Sequence, residues 1–176
     1  MSVHVLRLGH RPSRDKRVST HLVLAARAFG AKGATYTGKQ DNSLEESIRS
    51  VVEEWGGDFT INYSSNWKNS IKNWEGKVIH LTMYGLPYKE VVNEIRESPS
   101  DKLVVVGGAK VPGEIYEMAD WNVAVTSQPH SEVSALAVFL HELYMGEELG
   151  LEFQGARLRI VPQGHGKLVE EQGRRV

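Results

Sequence analysis

The segment Arg11-Pro-Ser-Arg-Asp-Lys-Arg17, followed by Ser19-Thr-His21, holds four cationic side chains, a carboxylate and an imidazole within eleven residues. Arg11, Arg14, Lys16 and Arg17 at that density make a receptor for a polyanion, and they favour nucleic acid. Asp15 stands among them and can hold one Arg in a bidentate pair, which leaves the others for phosphate. The run is read as following the first strand and preceding a helix that begins near residue 19. The N–H groups at that helix start would add donors for anions. A solvated basic loop with one local ion pair is the simpler alternative.

A second set of residues carries the other half of the chemistry. Leu103-Val-Val-Val-Gly-Gly-Ala-Lys-Val-Pro112 and Trp121-Asn-Val-Ala-Val-Thr-Ser-Gln-Pro-His-Ser-Glu132 each pass from a β-rich stretch through small residues into a helix start. They are read as leaving two neighbouring strands at their C-terminal ends, where open α/β sheets take nucleotide-like ligands. Gly107 and Gly108 would let main chain approach a ligand that side chains would obstruct. Neither loop is G-x-G-x-x-G, and no G-x-x-x-x-G-K-[ST] occurs; Gly166-Lys167 has Val161 and Leu168 at the defining positions. A dinucleotide-dependent oxidoreductase would share the core but should carry that missing fingerprint. His141-Glu142 opens like a zinc-binding helix, yet Met145 stands where the second His must be, so no metal is expected. His80 reads as a satisfied core or interface residue, and Trp55, Trp67, Trp74 and Trp121 read as packing.

The chain has 176 residues, enough for one domain with a real core. Having no Cys, it has no disulfide, zinc-thiolate site or thiol nucleophile. No apolar run approaches the ~20 residues that span a bilayer, and Met1-Ser-Val-His lacks a signal-peptide core, so a soluble, cytoplasmic protein is expected. The net charge of -1 conceals an asymmetry. Residues 1–40 hold eight Lys or Arg against one acid, residues 41–150 eight against eighteen, and residues 151–176 five against three. A basic edge on an acidic body points to a phosphate-rich partner at one side of the molecule.

These residues need a scaffold, and strands and helices alternate along the chain. Strands are expected at 3–8, 33–37, 59–63, 78–82, 103–107 and 121–125, and helices at 19–30, 43–55, 65–74, 88–97, 113–119 and 131–147. Such alternation predicts an α/β fold, a parallel sheet with helices on both faces. The last helix has an apolar stripe of Val133, Leu136, Ala137, Leu140, Leu143 and Tyr144, with Ser131 as N-cap and Gly146 or Gly150 as stop. Residues 1–150 are read as the main domain, and 151–176, with Phe153, Leu158, Ile160 and several glycines, as an appended β-hairpin.

Taken together, the whole chain resembles the SPOUT superfamily of RNA methyltransferases, and within it the archaeal tRNA ribose 2'-O-methyltransferases that modify cytidine 56 of the T-loop. The resemblance runs through Leu6-Arg-Leu-Gly-His-Arg11, Arg14-Asp-Lys-Arg-Val-Ser-Thr-His-Leu22, His80-Leu-Thr-Met-Tyr-Gly85, Val105-Val-Gly-Gly-Ala-Lys-Val-Pro112 and Asn122-Val-Ala-Val-Thr-Ser-Gln-Pro-His-Ser-Glu-Val-Ser-Ala-Leu-Ala137. It implies a deep trefoil knot at about 78–147, a rare exception to unknotted chains. It implies S-adenosyl-L-methionine as cofactor, held largely by backbone in three knot loops. Those residues are Leu81 and Thr82; Gly107, Gly108, Ala109, Lys110 and Val111; and Val125, Thr126, Ser127, Gln128, Pro129, His130, Ser131 and Glu132. Leu81, Val111 and Val125 would offer apolar contact to the purine.

The same resemblance implies tRNA as substrate and a homodimer in which each site is completed by the partner's N-terminal region. Two positions depart from the wider SpoU-type pattern: Leu24 stands where an Arg is usual, and Glu132 where an Asn is usual. Within the closer archaeal pattern Arg17 or Arg14 is the catalytic candidate, with His21 next. The alternative is a non-catalytic RNA-binding module, which would keep the basic edge without needing the knot-loop pattern.

Overall fold

The run Leu103–Val106 has no polar side chain to turn towards water, so it can be a strand only where both its faces are covered. It forms β5 (Lys102–Val106), buried at all five residues. The computed structural model describes residues 1–108 and 110–171 and the backbone of 174–175. Beside β5 lie β1 (Val3–His10), β2 (Gly33–Gly38), β3 (Thr60–Tyr63), β4 (Lys77–Pro87) and β6 (Trp121–Ala124). The sheet order is β3-β2-β1-β5-β4-β6, and every pairing is parallel. Parallel neighbours require crossovers. These are supplied by α1 (Pro12–Ala28), α2 (Asn42–Trp55), α3 (Trp67–Lys72), α4 (Tyr88–Glu97) and α5 (Glu114–Met118), with α6 (Glu132–Tyr144) closing the core.

Strand alternation divides the interior into two layers. Val3, Val5, Ile79, Leu81, Val104 and Val106 face α1, α2, α4 and α6 through Leu22, Leu44, Ile95, Leu136, Phe139 and Leu140. On the other side Leu6, Leu8, Val78, Leu103 and Val105 pack against Ile71 of α3 and Ile115 of α5. The parity that puts Val3 and Val5 in the first layer puts Arg7 there too, at the C-terminal end of β1.

The α/β class with helices on both faces is observed, and two local expectations are corrected. The two loops do not leave neighbouring strands: β4 lies between β5 and β6. β4 pairs with β6 twice, through Ile79↔Trp121 to Leu81↔Val123 and again through Leu86↔Val123, with an irregularity between. At that detour a Cβ on Gly85 would lie 2.5 Å from the Asn122 carbonyl, so only glycine permits the approach. In addition, α1 begins at Pro12 and not near residue 19, so the basic run occupies its first turns and is no loop. Proline suits the first helical position because its missing N–H has no partner there anyway. Arg11 and Asp15 then pair across one turn, with Nε–Oδ2 at 2.7 Å and Nη2–Oδ1 at 3.1 Å.

The end of α6 follows from its caps. Ser131 Oγ accepts from Val133 N at 3.2 Å, as its position in the sequence predicts. Met145 takes the left-handed conformation (φ 57°) and Gly146 follows at φ 82°, which stops the helix at Tyr144. Beyond it, β7 (Leu158–Ile160), β8 (Val169–Glu171) and β9 (Arg174–Arg175) form a small antiparallel sheet. The segment leading to it docks on the end of α2: Gly57 N donates to Gln154 O at 2.8 Å and Arg157 N to Glu54 O at 2.9 Å. Arg27 stacks over Phe153 with its Cζ 4.3 Å from the ring centroid while its Nη2 donates to the Gly56 carbonyl at 2.7 Å.

Candidate active site

The C-terminal ends of β4, β5 and β6 open onto a cleft of about 430 Å³. Leu81 and Thr82 line it from β4, Gly107, Gly108 and Val111 from the loop after β5, and Val125, Pro129, His130, Ser131 and Glu132 from the loop after β6. All three expected loops therefore meet. Lys110, Thr126, Ser127 and Gln128 are not among the lining residues, and Ala109 lies outside the described residues. Thr126 and Gln128 shape the third loop instead: Gln128 N donates to Thr126 Oγ1 at 3.3 Å, and the Gln128 carbonyl lies 2.8 Å from His130 Nδ1. His80, Val106, Tyr116 and Val123 also line the cleft. In the sequence they carry only core signatures, with nothing to tell a cleft floor from an ordinary core.

The two glycines have different work. A Cβ on Gly107 would collide with Val111 Cγ2, because the loop folds back on itself there. At Gly108 a Cβ would meet nothing nearer than Arg7 Nη1 and Nη2, at 3.8 Å, and Glu132 Oε1, at 3.9 Å. The fold itself needs Gly107; Gly108 leaves open a floor on which a ligand can lie against main chain.

Under that floor is a residue that the sequence shows only as one more positive charge. Arg7 is 2 % exposed. Its nearest counter-charge is Glu132 Oε1, 4.0 Å from Nη1, on a side chain 32 % exposed. Nε and Nη1 have no hydrogen-bond partner among the described residues. Burial pulls the Arg7 pKa down and Glu132 opposes that, with Asp15 adding to it. Arginine remains charged under such a pull, so a guanidinium with two unspent donors is held beside Gly108 and Glu132. It does not line the cleft, so it acts there through the Glu132 carboxylate, which does.

The predicted catalytic side chains lie elsewhere. Arg14, Lys16, Arg17 and His21 are exposed on α1, while Ser19, Leu22, Val23 and Ala26 form its buried side. Arg14, Arg17 and His21 stand at i, i+3 and i+7 and so share one helix face. None of the four lines this chain's cleft. Arg11 is the cation that Asp15 pins; that bond and their attraction pull the Asp15 carboxyl down.

A Ser–His–Asp arrangement nearby needs its own reading. His10 Nδ1 lies 2.8 Å from Ser19 Oγ, and its Nε2 lies 3.2 Å from Asp41 Oδ2. All three residues are buried and none lines the cleft. A nucleophile must meet its substrate, so this trio is a tether that fixes α1 and the α2 N-cap to the end of β1. The Ser43 hydroxyl, more than any other group, holds the Asp41 carboxyl down at about 2, with His10 and Leu44 N assisting.

The fold and the chain both have recognisable relatives. The structure superposes on the A. aeolicus TrmH/SpoU tRNA modifying enzyme with a TM-score of 0.62 at 18% identity, over 84% of this chain and 76% of that one. It superposes on the SpoU methyltransferase AviRb from Streptomyces viridochromogenes, solved with the cofactor AdoMet, with a TM-score of 0.58 at 14% identity, over 82% and 57% of the two chains. In sequence it is 54% identical to the tRNA (cytidine(56)-2'-O)-methyltransferase of Methanothermobacter thermautotrophicus, over 97% of each chain. It is 55% identical to the protein of that name from Methanopyrus kandleri, over 94% of each. Residues 55–170 match the family model described as tRNA ribose 2'-O-methyltransferase, aTrm56. With the cleft and near full-length identity in agreement, the chain belongs to the aTrm56 family of tRNA ribose 2'-O-methyltransferases.

Proposed function

We propose that this protein transfers a methyl group from S-adenosylmethionine to the ribose 2'-hydroxyl of cytidine 56 in tRNA, in the cytoplasm. The observation that carries the reading is the cleft at the strand ends. Its floor at Gly108 is open main chain, its walls are Leu81, Val106, Val111, Val123 and Val125, and its edge carries Glu132 over the buried Arg7. The residues fit a nucleoside-sized cofactor: the volume is in the range of small-molecule sites, and apolar walls with a few polar groups are what such a ligand needs. Bound there, the cofactor supplies an electrophilic methyl group on a positively charged sulfur.

The chain's own residues would do the rest. The main chain at Gly107–Gly108 and the loop 125–132 would hold the cofactor, and the Glu132 carboxylate would face its positive charge. Arg7, buried beneath Glu132 and not among the lining residues, would act through that carboxylate by fixing it at the cleft edge. No Arg can take the hydroxyl proton while its pKa stays above ~12, so that proton passes to a substrate phosphate, His21 or water as the ribose oxygen takes the methyl group. Holding the reacting atoms ~3–3.5 Å apart in line supplies much of the acceleration.

The exposed cations of α1 find their place in a two-fold homodimer around a knotted core spanning about residues 78–147. There the partner's α1 would bring Arg14, Arg17 and His21 to the ribose, with Lys16 and Arg11 at the tRNA backbone. Support comes from the exposure of that helix face, its shared i, i+3, i+7 alignment and its absence from the cleft of its own chain. Residues 1–150 form the catalytic unit in this reading, and 151–176 a separate extension. The test is tritium transfer from labelled S-adenosylmethionine to unmodified tRNA, with the methylated nucleotide mapped. Label at residue 56 ribose is the expected result, and label on a base or none at all refutes it. Sedimentation should give a dimer; a monomer that still methylates tRNA would remove the partner from the mechanism.

A further inference from the structure

The sequence reads His80 as a satisfied interior residue, and the structure satisfies only half of it. The imidazole, at 0% exposure in β4, has Nδ1 2.9 Å from Asn122 Oδ1. Asn122 is fixed from its other end, where Nδ2 donates to the Tyr116 carbonyl at 2.9 Å. Its Oδ1 can only accept, so His80 Nδ1 must carry the proton. Burial pushes the His80 pKa down, outweighing the Asn122 bond, and keeps the ring neutral. Nε2 is therefore a lone-pair acceptor, and it has no partner among the described residues. The nearby hydroxyl is already engaged: Tyr116 Oη lies 3.1 Å from Thr82 Oγ1, while the Tyr116 ring packs edge-on to the imidazole at 4.7 Å.

An unpartnered buried acceptor is costly, and an aliphatic residue would avoid that cost in a position that served packing alone. His80 instead lines the cleft together with Thr82 and Tyr116. Its tautomer is fixed by two successive hydrogen bonds, so the free nitrogen can do one thing, which is to accept from a donor that enters the cleft. Resting on the methyl-donor reading above, we propose that His80 Nε2 is a recognition acceptor for an N–H or O–H donor of the adenosyl group. An adenosyl group offers such donors at the purine 6-amino group and at the two ribose hydroxyls. A site built to accept from one of them rejects an analogue that lacks it more strongly than an apolar wall could.

The test uses binding alone, by calorimetric titration of S-adenosylhomocysteine and of its 6-oxo, 2'-deoxy and 3'-deoxy analogues. The parent chain should lose about tenfold in affinity for the analogue that lacks the recognised donor. His80→Asn keeps a donor to Asn122 at the Nδ1 position and removes the acceptor at the Nε2 position. That variant should bind the same analogue and S-adenosylhomocysteine within about twofold of each other, the signature of a lost pairwise interaction. His80→Gln, which retains an acceptor near the Nε2 position, should keep the parental discrimination. Losses equal in the parent and in His80→Asn for all three analogues would overturn the inference. In the unmodified protein, saturating S-adenosylhomocysteine should shift the Nε2 nitrogen resonance of His80, and an unmoved resonance overturns it independently of any variant. If the parent chain binds none of the four compounds, the methyl-donor reading fails and takes this inference with it; binding without a His80-dependent difference defeats the inference alone.

Discussion

Replacing Arg7 with Met should separate stability from activity in opposite directions. The pair energy between Arg7 and Glu132 at 4.0 Å is about 4 kcal/mol at an effective dielectric of ~20. Against it stands the desolvation of the guanidinium, several kcal/mol for a buried ion, and two nitrogens without partners among the described residues, which cost about 1–3 kcal/mol each. These terms cancel or leave the charge a net burden on the fold. Methionine keeps the length and flexibility of the stem and removes the charge. Glu132, a third exposed, can rehydrate when its partner is gone. The Arg7→Met chain should therefore unfold at the parental temperature or a few degrees above it, since ~1 kcal/mol moves the midpoint of a chain this size by about 2–4 °C. If Arg7 positions Glu132 at the cleft edge, single-turnover methyl transfer should meanwhile fall by up to about 10²-fold. Arg7→Lys should restore part of it, because an ammonium keeps a positive charge beneath Glu132. The decisive pair of assays is thermal unfolding and single-turnover transfer at saturating tRNA. A variant destabilised by more than about 3 kcal/mol that transfers methyl at the parental rate would make Arg7 a structural ion pair and refute the reasoning.

The two loop glycines should fail in different ways. Gly107→Ala should destabilise the fold by about 1–3 kcal/mol through its collision with Val111, measured by denaturant unfolding. Gly108→Val should keep the parental circular dichroism and abolish cofactor binding in calorimetry. Replacing Arg14, Lys16 and Arg17 together should weaken tRNA binding and reduce its logarithmic salt slope by about 2–3, at ~0.7–0.9 per lost phosphate contact. Arg11→Ala alone should change that slope least, since Asp15 already neutralises Arg11. Asp41 sets an acid limb on stability. Its folded pKa of about 2 lies below the ordinary carboxyl value, so its contribution is complete above pH ~4 and drains as the pH falls towards 2. That contribution is about 2 kcal/mol, and Asp41→Asn should flatten stability over this window in equilibrium unfolding.

Much of this molecule is legible in its sequence because local rules and global packing agree. Leu103–Val106 can only be a doubly covered strand, and Ser131 before the apolar stripe can only begin a helix. The start of α1 is misread for a physical reason: a cluster of charges has the composition of a loop, yet Pro12 and the Arg11–Asp15 pair are helix-start signals, and they prevail. Sheet order is not local at all. That β4 enters between β5 and β6 depends on its double pairing with β6 around Gly85, and no periodicity encodes it.

The site was legible as loops and illegible as chemistry, and Arg7 and Glu132 show why. In the sequence Glu132 is a departure, a carboxylate where an amide is usual, and Arg7 is one of eight cations in the first forty residues. Separated by 125 positions, they give no sign of each other. Strand parity sends Arg7 into the α6 layer, and the Ser131 cap starts α6 so that its first residue, Glu132, reaches Arg7. Only then does each explain the other: the carboxylate stands where a fixed cation lies beneath it, and the cation can be buried because the carboxylate is there. The pairing is loose at 4.0 Å and, among the described residues, leaves donors on Arg7 unspent. A pair evolved for stability alone would close that gap. One that must also leave the Glu132 carboxylate facing the cleft has reason to leave it open.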